Sequence, residues 1–257
     1  MNIMLTFRDI FIITKRNFMR MIRTPQLLVF SSIQPVMFLL LFNYVFGGAV
    51  TRSGTGTDLY INFLLPGILA QTAIFGSLQT GIGMADDLSK GAIDRFRSLP
   101  MSRSAVVAGR TLADVIRNVM VLVIMLIVGE IIGFRFHHGI GLGLLGFLVV
   151  LLFGYAFSWI SLTIGLLVRD AETAQTAGFL WVFPLVFASS VFVPTATMPM
   201  WLRAFAENQP ITQTVNAVRF LTQDIGTSAS VWHALWWSLG IIVVFIPLAV
   251  AQYRRTV

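Results

Sequence analysis

Residues 136–168 read FHHGIGLGLLGFLVVLLFGYAFSWISLTIGLLV. No Asp, Glu, Lys or Arg interrupts that run. A helix of about 20 apolar residues crosses the hydrocarbon of a bilayer, and a charge near its centre is costly. The lengths of charge-free intervals therefore locate spans. Four more mostly apolar intervals, residues 24–51, 59–85, 173–202 and 225–253, are each longer than about 25 residues. A sixth, residues 118–134, is interrupted only by Glu130 and extends back past Arg117 to Ile116 and Val115. Composition agrees: 11% of the 257 residues are charged, against about 25% in a soluble domain. The expected fold class is all-α and integral to the membrane, with six transmembrane helices.

Net charge is +7, and the placement of the cations decides what it means. Arg8, Lys15, Arg16, Arg20 and Arg23 precede the first span. Lys90, Arg95, Arg97, Arg103 and Arg110 lie between the second and third, and Arg117 opens the third. Arg169 follows the fourth, and Arg254 and Arg255 follow the sixth, so 14 of the 18 Lys and Arg fall on one side. Loop Lys/Arg bias orients membrane proteins, which puts that side and both termini in the cytoplasm. The basic balance is a topology signal, not a nucleic-acid one. Cysteine is absent, which excludes disulfides and thiolate metal or redox sites. Residues 1–24 lack the continuous apolar core of a secretory signal, so the first span is expected to be retained.

Within residues 5–24, Phe7, Ile10, Phe11, Phe18, Met21 and Ile22 recur at helical spacing against the five cations. That pattern predicts an amphipathic helix in the cytoplasmic interface, ended at Thr24-Pro25. Span one is expected over about residues 27–46. Span two carries Gln71, Thr72, Ser77, Gln79 and Thr80, a polar face that must point into the bundle. Span three places Glu130 near its outer end, where Arg135 is expected to balance it, and His137 and His138 read as interfacial groups. Gly141-x-Gly143-x-x-Gly146 matches a dinucleotide fingerprint only formally. The fingerprint needs a preceding strand, whereas small residues in a membrane helix permit close backbone approach. Span five is expected over about residues 176–193. Between residues 194 and 224, two short helices broken at Pro210 are expected to dip into the outer leaflet or cap the bundle.

The cytoplasmic stretch ADDLSKGAIDRFRSLPMSR, residues 85–103, is a polar helix bracketed by breakers. Asp86 and Asp87 suit its start, Arg95 and Arg97 its end, and Pro100 stops it. Ile93, Phe96 and Leu99 form an apolar ridge among charges, suited to docking in another protein's groove or to packing on the chain's own bundle.

Four segments in order, LLPGI at 64–68, KGAIDRFRSLPMSR at 90–103, FPLVFASSVFVP at 183–194, and MPMWL at 198–202 followed by NQPI at 208–211, resemble the ABC-2 type permease family. The resemblance is greatest to its daunorubicin-resistance branch and covers essentially the whole chain, a single transmembrane domain over residues 1–257. It implies that residues 1–24 are a connecting helix, that residues 86–100 are a coupling helix, and that residues 194–222 are an outer re-entrant hairpin. On that reading Asp87, Lys90, Ile93, Asp94, Phe96, Arg97 and Leu99 meet a separate ATPase dimer, and two permease chains, identical or paralogous, form the path. No Gly-x-x-x-x-Gly-Lys-Ser/Thr occurs, so ATP and magnesium are expected only in that partner, and no cofactor or metal in this chain.

The resulting expectation is the permease subunit of an exporter in the plasma membrane, not itself an enzyme, moving an amphiphilic drug or lipid outward. Gln34, Phe75, Gln79, Phe183 and Phe187 are the expected path residues. A multi-pass enzyme is disfavoured because no His-Glu-x-x-His or Gly-x-Ser-x-Gly occurs. A channel or an assembly scaffold without ATP-coupled transport is the alternative.

Overall fold

A computed structural model describes Thr14, Met19 and residues 25–51, 60–91 and 103–256. Among them there is no strand. The elements are α1 (Pro25–Thr51), α2 (Tyr60–Ser89), α3 (Arg103–Ile132), α4 (Ile140–Val168), α5 (Ala171–Phe187), a 3-10 turn (Thr195–Thr197), α6 (Met200–Asn208), α7 (Pro210–Gln223) and α8 (Ala229–Thr256). Among the described residues, four helical segments are long and apolar enough to cross a membrane: Tyr60–Ser89, Thr111–Ile132, Ile140–Val168 and Ala229–Arg255. A shorter apolar stretch, Ser31–Gly47, lies within α1.

Helix α2 is the axis of the molecule. Of its most apolar window 89% is buried, against 17% for α8 at the periphery. Its burial follows from small residues at every fourth position. Ala73, Ser77 and Gly81 face the Gly154, Ser158, Ser161 and Gly165 stripe of α4. A Cβ on Gly81 would collide with the Ser161 carbonyl, and one on Gly165 with the Gly81 carbonyl. The two backbones are therefore in contact, the packing that small residues allow where lipid provides no hydrophobic drive. Leu64, Leu65, Ile68, Ile74, Phe153 and Phe157 complete this core. Toward the other end, α4 buries Trp159, Leu162 and Leu166 with Ala249 and Tyr253 of α8.

The expected fifth span is shorter than its apolar interval. Helix α5 ends at Phe187 after 17 residues. Pro184 supplies no amide to the preceding turn. Ser189 Oγ donates to the Val186 carbonyl at 2.5 Å and accepts from the Val191 amide at 3.2 Å, local bonds that compete with helix. The buried turn that follows is satisfied by its neighbours. Ser190 N donates to Thr212 Oγ1 at 3.1 Å, Gln209 Nε2 donates to the Ala188 carbonyl, and the Tyr60 hydroxyl donates to the Phe192 carbonyl at 2.7 Å. Arg219 of α7 donates to the carbonyls of Phe63 at 3.0 Å and Ser190 at 2.7 Å. Irregular backbone that is buried requires this kind of protein shell.

One boundary and one pairing depart from expectation. Asp86 and Asp87 close α2, the helix ending where Gly91 turns left-handed at φ 66°. Arg135 donates to the backbone carbonyls of Glu130 and Phe134 at 2.9 and 2.8 Å, not to the Glu130 carboxylate. The expected break at Pro210 falls between α6 and α7, with Pro210 in the first turn of α7, where its missing amide is harmless.

Candidate translocation cavity

A cavity of about 750 Å³ lies along α2, walled by α1, α3 and the start of α5. Its α2 wall runs from Gln71 to Asp87, which at 1.5 Å per residue is about 24 Å, most of a bilayer's hydrocarbon depth. Gln34, Pro35 and Phe38 come from α1, and Asp114, Arg117, Asn118 and Val121 from α3. The α3 residues recur at three- and four-residue spacing, so one face of that helix meets the cavity.

Three of the five expected path residues, Gln34, Phe75 and Gln79, meet in this cavity. Phe183 and Phe187 do not line it. They belong to a row of rings that leaves it: Phe75 meets Phe183 edge-on at 5.5 Å, Phe183 stacks on Phe187 at 5.9 Å, and Phe187 meets Phe192 at 5.5 Å. Phe192 stacks on Phe42 at 4.4 Å, and Phe42 meets Phe38 at 5.9 Å, returning to the wall. Centroid spacings of this size suit aromatic attraction. Phe183 and Phe187 are 41% and 53% exposed, so their outer faces look away from the bundle.

The polar face of α2 divides. Gln71, Thr72, Ser77 and Thr80 are buried, and Gln79 is exposed to the cavity. Thr72 and Ser77 bond the Ile68 and Ile74 carbonyls of their own helix, so neither hydroxyl bridges helices. Of the expected coupling residues, Asp87 lies on the cavity wall and Lys90 pairs with Asp86 at 2.8 Å. Ile93, Asp94, Phe96, Arg97 and Leu99 lie outside the described residues. So does the expected connecting helix, apart from Thr14, whose hydroxyl donates to the Gly109 carbonyl of α3 at 3.2 Å, and Met19. His137 Nδ1 meets Gln223 Oε1 at 2.8 Å, and His138 lies between the Phe220 carbonyl at 3.1 Å and Asp224 at 3.4 Å, joining the α3–α4 loop to α7.

Sequence reasoning missed the α3 wall. Arg117 Nη1 pairs with Asp114 Oδ1 at 3.1 Å, and its Nη2 donates to the Gly76 carbonyl of α2 at 2.7 Å. Asn118 packs on Gly76, where a Cβ would strike its amide. The signal was present as Asp114, Arg117, Asn118 and Val121 on one face where an apolar run begins.

Residues 8–222 match the family described as ABC-2 type transporter. The chain belongs to that family. It is 35% identical over 90% of its length to the daunorubicin resistance ABC transporter permease protein of Streptomyces coeruleorubidus, covering 81% of that protein. It is also 29% identical over 94% of its length to the probable doxorubicin resistance ABC transporter permease of Mycobacterium tuberculosis, covering 87% of it. A putative transport permease of Cyanophora paradoxa is 28% identical over 83% of this chain and 74% of its own length. With four helices among its described residues long and apolar enough to cross a membrane, the chain is a multi-pass ABC-2 membrane permease.

Proposed function

We propose that this ABC-2 permease is half of the membrane part of an ATP-driven exporter that carries an amphiphilic drug or lipid out across the plasma membrane. The observation that carries the reading is the lengthwise cavity, with amides and aromatic rings high on its wall and carboxylates at the other end. Relatives named for daunorubicin and doxorubicin resistance favour a drug.

In this reading α1 to α5 and α8 are the six spans, and both termini are cytoplasmic, as the cation bias requires. The 17 residues of α5 reach about 25 Å, and the buried turn beyond Phe187 makes up the rest. Helices α6 and α7 are the outer re-entrant hairpin. Residues 86–100 are the coupling element seated on an ATPase dimer, which holds the ATP and magnesium. A second permease covers the face where Met37, Leu41 and Tyr44 of α1 and Leu180, Phe183 and Phe187 of α5 are exposed. ATPase closure then moves the end of α2, which is a cavity wall, so coupling and cargo path share one helix.

The test is reconstitution in vesicles with a candidate ATPase and the pair Phe96→Ala and Arg97→Ala. ATP-dependent efflux of an amphiphilic dye is expected to fall at least tenfold, with loss of complex formation. Unchanged complex and unchanged transport would overturn the coupling assignment. Dye flux that ignores ATP would instead favour a channel.

A further inference from the structure

At Gly76 the wall of the cavity is a junction of three helices. Asn118 of α3, 7% exposed, packs where a Gly76 Cβ would stand, and its amide nitrogen would lie 3.5 Å from a Cβ on Gly154 of α4. Beside it, Arg117 Nη2 donates to the Gly76 carbonyl at 2.7 Å. The other end of the guanidinium pairs with Asp114 at 3.1 Å, three residues back on its own helix. It is the Gly76 bond that carries Arg117 across to α2.

That carbonyl is full. A carbonyl oxygen has two lone pairs. Inside the continuous helix α2, Gly76 gives one to the Thr80 amide, and Arg117 takes the other. Thr80 is left with a hydroxyl that is fully buried and has no hydrogen-bond partner among the described residues. Helical threonines can return the hydroxyl to the carbonyl four residues back, as Thr72, Thr163, Thr176 and Thr222 do here at 2.7, 2.8, 3.0 and 2.8 Å. For Thr80 that carbonyl is Gly76. Arg117 and the Thr80 hydroxyl therefore compete for one lone pair. The exchanged arrangement, with Thr80 on Gly76 and Arg117 released, relieves a buried hydroxyl whose lack of a partner is costly, and Arg117 keeps Asp114 while its partly exposed guanidinium turns to the cavity.

The junction sits at equal reach from the proposed coupling element. Gly76 stands 13 residues before the end of α2 at Ser89, and Arg117 stands 14 residues after the start of α3 at Arg103, about 20 and 21 Å of helix. The two arms lead from residues 90–102 to the same depth on the cavity wall. We propose that Arg117 is a positioning residue for transport: bound to Gly76 it makes α2 and α3 move as one arm of the wall, and its exchange with the Thr80 hydroxyl lets the two helices part. The transport role rests on the exporter reading. The exchange itself does not.

The exchange is read from melting in phosphatidylcholine nanodiscs. Thr80→Val removes the unpartnered hydroxyl at nearly equal volume and is expected to raise the melting temperature by about 2–4 °C. In Arg117→Met, which takes the competing donor away, the hydroxyl has the Gly76 lone pair to itself. Adding Thr80→Val to that variant is expected to lower the melting temperature by about 2–4 °C. A threonine that merely fills space gives the same sign in both backgrounds, which would overturn the proposal. Should Arg117→Met fail to fold, Thr80→Val in the otherwise natural chain decides, and a melting temperature that did not rise would count equally against it.

The transport role is read in vesicles with the ATPase, as amphiphilic dye exported per ATP hydrolysed. Arg117→Met is expected to lower that ratio about tenfold with the ATPase complex intact. Thr80→Val is expected to lower it about threefold, whereas Thr80→Ser, which keeps the hydroxyl, retains most of it. An unchanged ratio in either of the first two variants, or loss of the complex in Arg117→Met, would end the positioning role. Absence of ATP-driven export by the natural chain would end the exporter reading alone, since the melting comparison uses no ATP and stands or falls by itself.

Discussion

Arg219 shows what a single side chain can hold in this fold. It is 3% exposed, its guanidinium carbon lies 3.5 Å from the centre of the Phe63 ring, and among the described residues carbonyls, not carboxylates, surround it. It ties α7 to α2 and to the turn after α5. Arg219→Leu would leave the Phe63 and Ser190 carbonyls short of a donor, a loss of about 3 kcal/mol for two charge-assisted bonds. That corresponds to a melting temperature lower by roughly 6–12 °C in detergent. Arg219→Lys should recover only part, because an ammonium cannot span the same acceptors. Arg203, half exposed and paired with Glu207 at 2.6 Å, is the contrast, and its loss should cost less than about 1 kcal/mol. Glycine offers a second pair of opposites. Gly81→Ala drives a methyl into the Ser161 carbonyl and should cost about 1–3 kcal/mol or more. Gly141→Ala, with nothing near its Cβ, should gain up to about 1 kcal/mol. Thermal unfolding of the two variants side by side checks both signs.

At the scale of elements, α5 is set by its ends. Asp170 caps it, accepting from the Thr173 amide at 2.8 Å and hydroxyl at 2.7 Å. The Thr173 amide, followed by its hydroxyl, holds the Asp170 carboxyl below its ordinary value. A carboxyl lowered by folding stabilises above its unfolded value and loses that contribution as pH falls through the folded one. The cap should therefore weaken only below about pH 4. Asp170→Asn should melt lower at neutral pH and lose less stability on acidification, as a melting series from pH 7 to 3 would show. The elements differed in how plainly the sequence announced them. Charge-free runs placed α2, α4 and α8 because a charge inside hydrocarbon is so costly. They overstated α5, since apolarity persists through Ser189-Ser190 while the backbone stops being helical, and hydrophobicity does not register a hydroxyl competing for a carbonyl. The cavity was half legible. Gln34, Phe75 and Gln79 stood out as polar or aromatic residues in apolar spans, whereas Asp114 and Arg117 read as the edge of a span, because nothing in the α3 sequence says which helix its first turns will face.

At the scale of the whole molecule, the question is which end of the bundle faces which side. Residues 90 and 254 should share one end: α2 finishes at Ser89, α8 finishes at Thr256, and Met84 near the end of α2 and Ala249 and Tyr253 near the end of α8 belong to one buried cluster with Trp159, Leu162 and Leu166 of α4. Thr197 and Thr227 belong to the other end, since the turn after α5 is bonded to Tyr60 at the start of α2, and α7 meets the start of α8 through Ala217, Leu221 and Ala234. Helix packing thus divides the four positions into two pairs, and the proposed orientation, drawn from the cation bias, expects the first pair in the cytoplasm. Because the chain is naturally free of cysteine, Lys90→Cys, Thr197→Cys, Thr227→Cys and Arg254→Cys can each be read alone, at sites exposed on the surface. In intact cells a membrane-impermeant maleimide should label residues 197 and 227, and should reach 90 and 254 only after permeabilisation. Labelling of 90 without permeabilisation would invert the molecule and send the acidic end of the cavity outward. Labelling that split 197 from 227 would mean an odd number of crossings between them, and the outer hairpin would then be a span.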